Sequence, residues 1–262
     1  MDVVKMNELL EIEGQKLFVK YIKKGENKPT IVFLHDSLGC IQLWRDFPLQ
    51  LAEALSYNVL IYDRWGYGQS EAMASPNRSK NYLELEADLL YALLVQLNID
   101  DAILFGHSDG ASIALIAASK YASKIKAVVS EAAHVFVETI TLEGIYKAIA
   151  SYKTTNLSER LAKYHGSKVE TIFKAWTDTW ISADFSDWNI EHFLPTITCP
   201  VLIIQGEADE YGTLKQVEAI ATQTGSQAEK LIIPNCGHSP HKETPNYILE
   251  RVAIFLQNLP VF

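Results

Sequence analysis

The 262-residue chain has only three cysteines, no long apolar run and fewer basic than acidic residues, and each shortage excludes a class of protein. Cys40, Cys199 and Cys236 are too few and too scattered for a disulfide framework or a zinc site, so we expect a reduced, cytoplasmic protein without a metal. No apolar stretch reaches the roughly 18–20 residues of a membrane-spanning helix, and the first residues lack the apolar core of a signal peptide. The net charge of −9 disfavours nucleic acid and membranes as partners, because both attract basic proteins.

Short runs of strand-forming residues alternate with helical patterns along most of the chain. One helical pattern places Leu83, Ala87, Leu90 and Leu94 on a single face. The predicted strands span residues 17–22, 30–34, 58–62, 102–105, 125–129, 201–204 and 230–233. This alternation, without internal repeats or Gly/Ser-rich linkers, predicts an α/β fold with a mostly parallel sheet and helices on both faces.

The stretch from about residue 134 to 195 interrupts this alternation. It has no clear strand, but it has helical patterns and the three tryptophans Trp176, Trp180 and Trp188. Ligands of open α/β sheets bind at the carboxyl edge of the strands. We therefore predict that residues 134–195 form a helical cap over that edge, with the core built from 1–133 and 196–262. A set of peripheral helices away from the edge is the alternative.

The pentapeptide Gly106-His107-Ser108-Asp109-Gly110 lies between the predicted strand 102–105 and a helix-forming run over 111–118. In this context a G-x-S-x-G sequence forms a tight turn that holds the serine hydroxyl out at the carboxyl edge of the sheet. The following helix N-terminus faces the same place with free N–H groups. Ser108 is therefore the predicted nucleophile.

A serine nucleophile needs a histidine base and a carboxylate that orients the histidine. In this chain order both should follow later strands, the acid first. Asp209 follows the strand predicted over 201–204, and His238 follows the strand predicted over 230–233. Together with Ser108 they form the predicted catalytic triad.

Three neighbouring residues compete with these assignments. Glu207 and Glu210 flank Asp209, but Asp209 ends the short turn that best reaches toward the histidine loop. His241 comes three residues after His238, at an apparent helix start, where we expect it to be a capping or surface residue.

Acyl transfer also needs two hydrogen-bond donors for the negatively charged oxygen of the tetrahedral intermediate. One donor should be the backbone N–H of Asp109, directly after the nucleophile. The loop His35-Asp36-Ser37-Leu38-Gly39 follows the predicted strand 30–34 and should supply the other, which we assign to the backbone N–H of Ser37.

Taken in order along the chain, five elements resemble the α/β-hydrolase superfamily: the loop 35–39, the segment 62–70, the elbow 106–110, Asp209 and Gly237-His238. Within that superfamily, the G-x-S-D-G elbow and the short cap are similar to the valacyclovir-hydrolase-like and meta-cleavage-product-hydrolase-like branches. The resemblance implies an eight-stranded, mostly parallel sheet, a Ser108–Asp209–His238 triad and no cofactor. The chain departs from the pattern at Asp36, where relatives often have glycine.

Two sets of side chains are candidates for contact with substrate. The carboxylates of Asp36 and Asp109 could hold a substrate ammonium group, although Asp109 is also well placed to cap the helix it begins. Trp176 and Trp180 fall on one helix face, and either they line the roof of a pocket or they belong to the core. Trp44, shortly after the loop 35–39, has the same two interpretations.

These observations predict a cofactor-independent serine hydrolase that cleaves a small carboxylic ester, which includes an amino-acyl ester, or a small amide. The only expected partner is the small-molecule substrate, and the chain is expected to be a monomer or a homodimer. One alternative is hydrolysis of a carbon–carbon bond in a β-diketone-like substrate by the same triad. Another is a ligand receptor that turns substrate over slowly.

Overall fold

The structure, a computed structural model, describes residues 4–225 and 228–259. Its eight strands are β1 (Val4–Ile12), β2 (Gln15–Lys23), β3 (Thr30–Leu34), β4 (Asn58–Tyr62), β5 (Ala102–His107), β6 (Ile125–Glu131), β7 (Val201–Gly206) and β8 (Ala228–Ile233). They form one open sheet in the order β1-β2-β4-β3-β5-β6-β7-β8. The pairs β1–β2 and β2–β4 are antiparallel, whereas every other neighbouring pair is parallel. The predicted eight-stranded, mostly parallel sheet is confirmed.

The central strands are buried on both faces of the sheet. All residues of β3, β4 and β5 are buried, as are those of β7. Alternate side chains of β3 enter different apolar clusters: Val32 and Leu34 pack on one face, Ile31 and Phe33 on the other. A parallel strand covered on both sides has no polar face, which is why these segments are continuous apolar runs in the sequence.

Helices cover both faces of the sheet. They are α1 (Phe47–Leu55), α2 (Tyr82–Gln96), α3 (Asp109–Lys120), α4 (Thr139–Thr154), α5 (Leu157–His165), α6 (Val169–Trp180), α7 (Leu214–Gln223), α8 (Pro240–Glu243) and α9 (Pro245–Gln257). The apolar residues of α2 and α3 belong to one cluster, and those of α1 and α9 to the other. No helix within the described ranges is long and apolar enough to cross a bilayer.

Helices α4, α5 and α6 form the insertion between β6 and β7. Lys168, at its α5–α6 junction, donates from Nζ to the backbone oxygens of Tyr67, Gly68 and Ser70 at 2.6–3.2 Å. His165 accepts from the Gly68 amide and donates to the Leu38 carbonyl. The insertion is thus fixed to two loops at the carboxyl edge of the sheet, while the boundaries at 134 and 195 stay a prediction.

Candidate active site

The G-x-S-x-G pentapeptide makes the turn between β5 and α3, with Ser108 at φ 55° and ψ −122°. Close backbone approach explains both glycines. A Cβ on Gly106 would lie 2.2 Å from the Gly110 carbonyl oxygen, and one on Gly110 would lie 2.1 Å from the Leu34 oxygen. Because no side chain fits at either position, the turn can form only with these glycines. The strained backbone of Ser108 is thereby held at the carboxyl end of β5.

The three predicted triad residues meet at this edge. His238 Nε2 lies 3.0 Å from Ser108 Oγ, and His238 Nδ1 lies 2.9 Å from both carboxylate oxygens of Asp209. The serine and the aspartate are buried, and the histidine side chain is 13 % exposed. The geometry allows the imidazole to accept the serine proton at Nε2 while the carboxylate holds Nδ1.

Within residues 4–225 and 228–259, every hydrogen-bond partner of the Asp209 carboxylate is a donor. Its carboxylate accepts from Gln205 Nε2 at 2.6 Å and from the backbone amides of Tyr211 at 2.8 Å and Gly212 at 3.3 Å. Burial opposes ionisation, but His238 and the backbone amide of Tyr211 hold the pKa of Asp209 below its ordinary value. Burial also opposes protonation of His238, yet the bond to Asp209 raises the pKa of His238 above 6.5.

The competing carboxylates lie elsewhere. Glu207 is exposed, and Glu210 accepts the backbone amide of His238 at 3.2 Å without bonding the ring. Of the three acids in this turn, Asp209 is therefore the one that orients the imidazole.

The structure places Ser37 and Asp109 in the wall of the same cavity as Ser108. Neither backbone amide has an acceptor among the hydrogen bonds of residues 4–225 and 228–259, which leaves both free to bind an oxyanion. Asp36 has no positive φ, so its Cβ causes no strain of that kind. Burial opposes its ionisation, but Lys242 and His107 hold the pKa of Asp36 well below its ordinary value.

The cavity over Ser108 has a volume of about 120 Å³. Core loops supply one part of its wall, and the insertion supplies the other part. The residues from the core are Asp36, Ser37, Leu38, Ser108, Asp109, His134, Tyr211 and His238; those from the insertion are Thr141, Ile145, Trp176 and Trp180. A larger and more open groove of about 1030 Å³ runs along α2 and contains none of the triad residues.

Trp44 does not line this cavity, so its assignment as a substrate-binding residue is corrected. Its ring packs against Phe33 at 5.2 Å and against Phe105 at 5.6 Å between ring centroids, and it is buried. Nothing in the sequence distinguishes Trp44 from Trp176 and Trp180 in this respect, because an aromatic side chain can equally belong to a core or line a pocket.

The Asp109 side chain does not cap α3. Its Oδ2 accepts from the Tyr82 hydroxyl at 3.0 Å and lies 3.6 Å from Nη2 of the buried Arg64. The Tyr82 oxygen in turn accepts from Trp180 Nε1 at 3.0 Å. The carboxylate is therefore compensated by core and insertion residues while it forms part of the cavity wall.

His241 is buried, which contradicts its expected place at the surface. Its Nδ1 lies 2.5 Å from Oε2 of Glu131, a buried carboxylate at the end of β6 that sequence reasoning missed. The signal was present, since Glu131 is a charged residue at the end of a strand whose centre, Ala127-Val128-Val129, is apolar.

Together with His107, these two residues offer ligand atoms within 4.8 Å of one another. A tetrahedral zinc with bonds of 2.0–2.1 Å would separate its ligand atoms by about 3.3 Å. The 2.5 Å separation is that of a hydrogen bond, so His241 and Glu131 have the geometry of a hydrogen-bonded pair and not of two ligands of one metal ion.

Comparison with known proteins agrees with this architecture. The family model described as "alpha/beta hydrolase fold" matches residues 29–185, more than half of the chain. Human "Serine hydrolase BPHL" is 30% identical over 203 residues, which cover 72% of this chain and 66% of that protein, slightly less than two thirds of its length. "Monoglyceride lipase" of Rattus norvegicus is 24% identical over 281 residues, which cover 95% of this chain and 89% of that protein.

Two solved structures show the same fold over the whole chain. The 2-hydroxy-6-oxo-6-phenylhexa-2,4-dienoate hydrolase BphD from Rhodococcus sp. strain RHA1 matches with a TM-score of 0.81 and 15% identity, covering 98% of this chain and 100% of that one. MGS-M2, an alpha/beta hydrolase from a deep-sea metagenome library, matches with a TM-score of 0.79 and 22% identity, covering 97% and 98%. The chain thus belongs to the α/β-hydrolase fold family.

Proposed function

We propose that the chain is a serine hydrolase that acts through an acyl-enzyme on Ser108. Its substrates are small carboxylic esters, including amino-acyl esters, and small amides. The observation that carries this proposal is the contact chain from Ser108 Oγ to His238 Nε2 at 3.0 Å and from His238 Nδ1 to Asp209 at 2.9 Å. Two of the similar proteins, a serine hydrolase and a monoglyceride lipase, also carry the names of hydrolases.

In the proposed reaction, Ser108 Oγ attacks the substrate carbonyl carbon while His238 takes the serine proton at Nε2. Asp209 holds the ring and stabilises the imidazolium that forms. The free amides of Ser37 and Asp109 bind the negatively charged oxygen of the tetrahedral intermediate. His238 then returns the proton to the leaving alcohol, and a water activated by the same nitrogen releases the acid and frees the serine.

The size of the cavity supports a small acyl group. Pockets that enclose drug-sized ligands measure roughly 300–1,000 Å³, whereas this one measures about 120 Å³. The wall supplied by the insertion is mostly apolar, with Ile145, Trp176 and Trp180 beside Thr141, and suits a short aliphatic or flat acyl chain. Hydrolysis of a carbon–carbon bond in a bulky β-diketone-like substrate would use the same triad but would need more room.

Amino-acyl esters are included because two carboxylates lie in the wall of the cavity. The pKa of Asp36 is held well below its ordinary value, and the Asp109 carboxylate lies 3.6 Å from the Arg64 guanidinium. A substrate ammonium group would find favourable electrostatics there. At equal acyl size, amino-acyl esters should show higher kcat/KM than neutral esters; equal values would remove ammonium recognition from the proposal and leave the ester hydrolase.

The proposal is tested by replacing Ser108 with Ala. We expect kcat on p-nitrophenyl acetate to fall by about 10⁴–10⁶ and labelling by a fluorophosphonate to disappear, with an unchanged melting temperature. Ser119→Ala, at the opposite end of α3, is the matched control and should behave as the parent protein. Retained turnover in the Ser108 variant would refute the nucleophile, and turnover of the parent far below 1 s⁻¹ on every ester would favour the receptor alternative.

A further inference from the structure

Behind the loop that carries His238 lies a second histidine–carboxylate pair, formed by His241 and Glu131. Glu131 ends β6 and is fully buried. Its Oε1 accepts the backbone amide of His241 at 2.7 Å, and its Oε2 lies 2.5 Å from His241 Nδ1. Neither residue lines the substrate cavity. The proposed reaction therefore does not use them directly.

Burying such a pair contributes little net stability to a protein. Buried charges lose their hydration, and replacing a buried ion pair with apolar side chains of similar volume often leaves stability unchanged or improves it. Burial opposes ionisation of Glu131, yet the electrostatic attraction of His241 and the two hydrogen bonds from it keep the pKa of Glu131 below the ordinary value. Burial lowers the pKa of His241. The pair is thus a buried carboxylate held by two hydrogen bonds from His241, one from Nδ1 and one from the backbone amide.

The pair connects the nucleophile to the base. The backbone oxygen of Glu131 accepts the amide of Ser108 at 2.9 Å. His107, next to Ser108, donates from Nε2 to the backbone oxygen of His238 at 2.8 Å. The His241 ring lies between Trp44 at 4.5 Å and His107 at 4.9 Å, measured between ring centroids. Glu131 consequently contacts the nucleophile elbow through its backbone oxygen. Its side chain holds His241, which follows the loop that carries His238.

We propose that Glu131 is a positioning residue for proton transfer: through His241 it fixes the loop of His238 so that the imidazole stays within hydrogen-bonding distance of Ser108. This inference rests on the proposed function, because it assumes that His238 is the base. A general base works only when its nitrogen lies within about 2.6–3.2 Å of the atom whose proton it takes. A displacement of about 1 Å can cost about 10²-fold in rate. Substrate binding is not affected, since the pair lies outside the cavity.

Three variants separate positioning from stability. His241→Leu removes the donor to Glu131, whereas His241→Asn keeps an N–H close to the place of Nδ1. The double variant Glu131→Leu/His241→Leu replaces the whole pair with apolar side chains and leaves no buried charge. If His241→Leu alone does not fold, the double variant is compared with the parent protein in its place. For each, kcat on p-nitrophenyl acetate is measured per active site titrated with a fluorophosphonate, together with KM and the melting temperature.

We expect His241→Leu and the double variant to lose about 10²-fold in kcat per titrated site, with KM within twofold of the parent protein. His241→Asn should recover at least tenfold of that loss. The double variant should also melt at a higher temperature than His241→Leu. If instead kcat per titrated site in the double variant matches the parent protein, the pair is structural only and the inference is wrong. Activity that survives Ser108→Ala would identify failure of the proposed function itself.

Discussion

Replacing Asp209 with Asn changes the chemistry of the triad with almost no change in shape. Every partner of this carboxylate is a donor: Gln205 Nε2, the amides of Tyr211 and Gly212, and His238 Nδ1. An asparagine has one acceptor oxygen and one NH₂ group. The oxygen can stay with the two backbone amides, which cannot turn. The NH₂ group then faces Gln205, whose amide can flip, and His238.

The consequence falls on the imidazole tautomer. An NH₂ group that donates to His238 Nδ1 requires the ring proton to move to Nε2, where it faces Ser108 Oγ. In that tautomer His238 cannot accept the serine proton. In a serine protease the same substitution lowers kcat about 10⁴-fold, which corresponds to about 5.4 kcal/mol of lost transition-state stabilisation at 1.36 kcal/mol for each tenfold. We expect a loss of that size here.

The assay is steady-state turnover of p-nitrophenyl acetate at pH 7 and 25 °C, with the melting temperature measured on the same samples. Glu207→Gln is the control, because Glu207 lies in the same turn but is exposed and should leave kcat unchanged. A folded Asp209→Asn variant that keeps kcat within tenfold of the parent protein would show that the carboxylate does not set the tautomer. The assignment of Asp209 as the carboxylate of the triad would then be wrong.

Three further outcomes are expected. Because the pKa of His238 is raised and the base must be unprotonated, kcat/KM on a neutral ester should increase with pH through an inflection above 6.5; an inflection below 6.5 in a pH–rate profile would contradict this assignment. Ile145→Ala removes part of the cavity wall, so the ratio of kcat/KM for hexanoyl to acetyl p-nitrophenyl ester should rise about tenfold relative to the parent protein. An unchanged chain-length profile would place the acyl group elsewhere. Gly110→Ala should lower the free energy of unfolding, measured by urea titration, by at least about 2 kcal/mol, because its Cβ would meet backbone atoms. In Gly25→Ala the Cβ meets only a flexible lysine, so the free energy of unfolding should stay within about 0.5 kcal/mol of the parent protein. Equal effects of the two substitutions would show that the elbow adapts.

The sequence predicted the central strands and the elbow because their signals are local. Strand β3 is an unbroken apolar run, and the elbow carries both glycines that its close contacts require. Strand β1 was not predicted. It lies at the edge of the sheet and most of its residues are exposed, so no hydrophobic alternation marks it. It is placed by its antiparallel pairing with β2, which is a tertiary cause.

The same distinction holds at the candidate site. Ser108, Asp209 and His238 each follow a recognisable strand, and parallel strands bring their carboxyl ends to one edge, so proximity could be predicted without coordinates. The partners of Asp109 and His241 could not be predicted in this way. Tyr82 begins α2 and Glu131 ends β6, and only the packing of the complete core shows which buried charge meets which.

Trp176 and Trp180 show why the two interpretations of an aromatic helix face need not exclude each other. Both rings are buried in the apolar cluster, and both line the cavity over Ser108. Helical periodicity reveals that this face of α6 is covered, but the covering surface is set by where the insertion lies on the sheet. Core loops supply every polar group of the proposed reaction, whereas the insertion supplies a mostly apolar wall, which Lys168 and His165 hold against the core loops. Changes in that wall can therefore alter which acyl groups fit while the distances among the triad atoms stay fixed by the core.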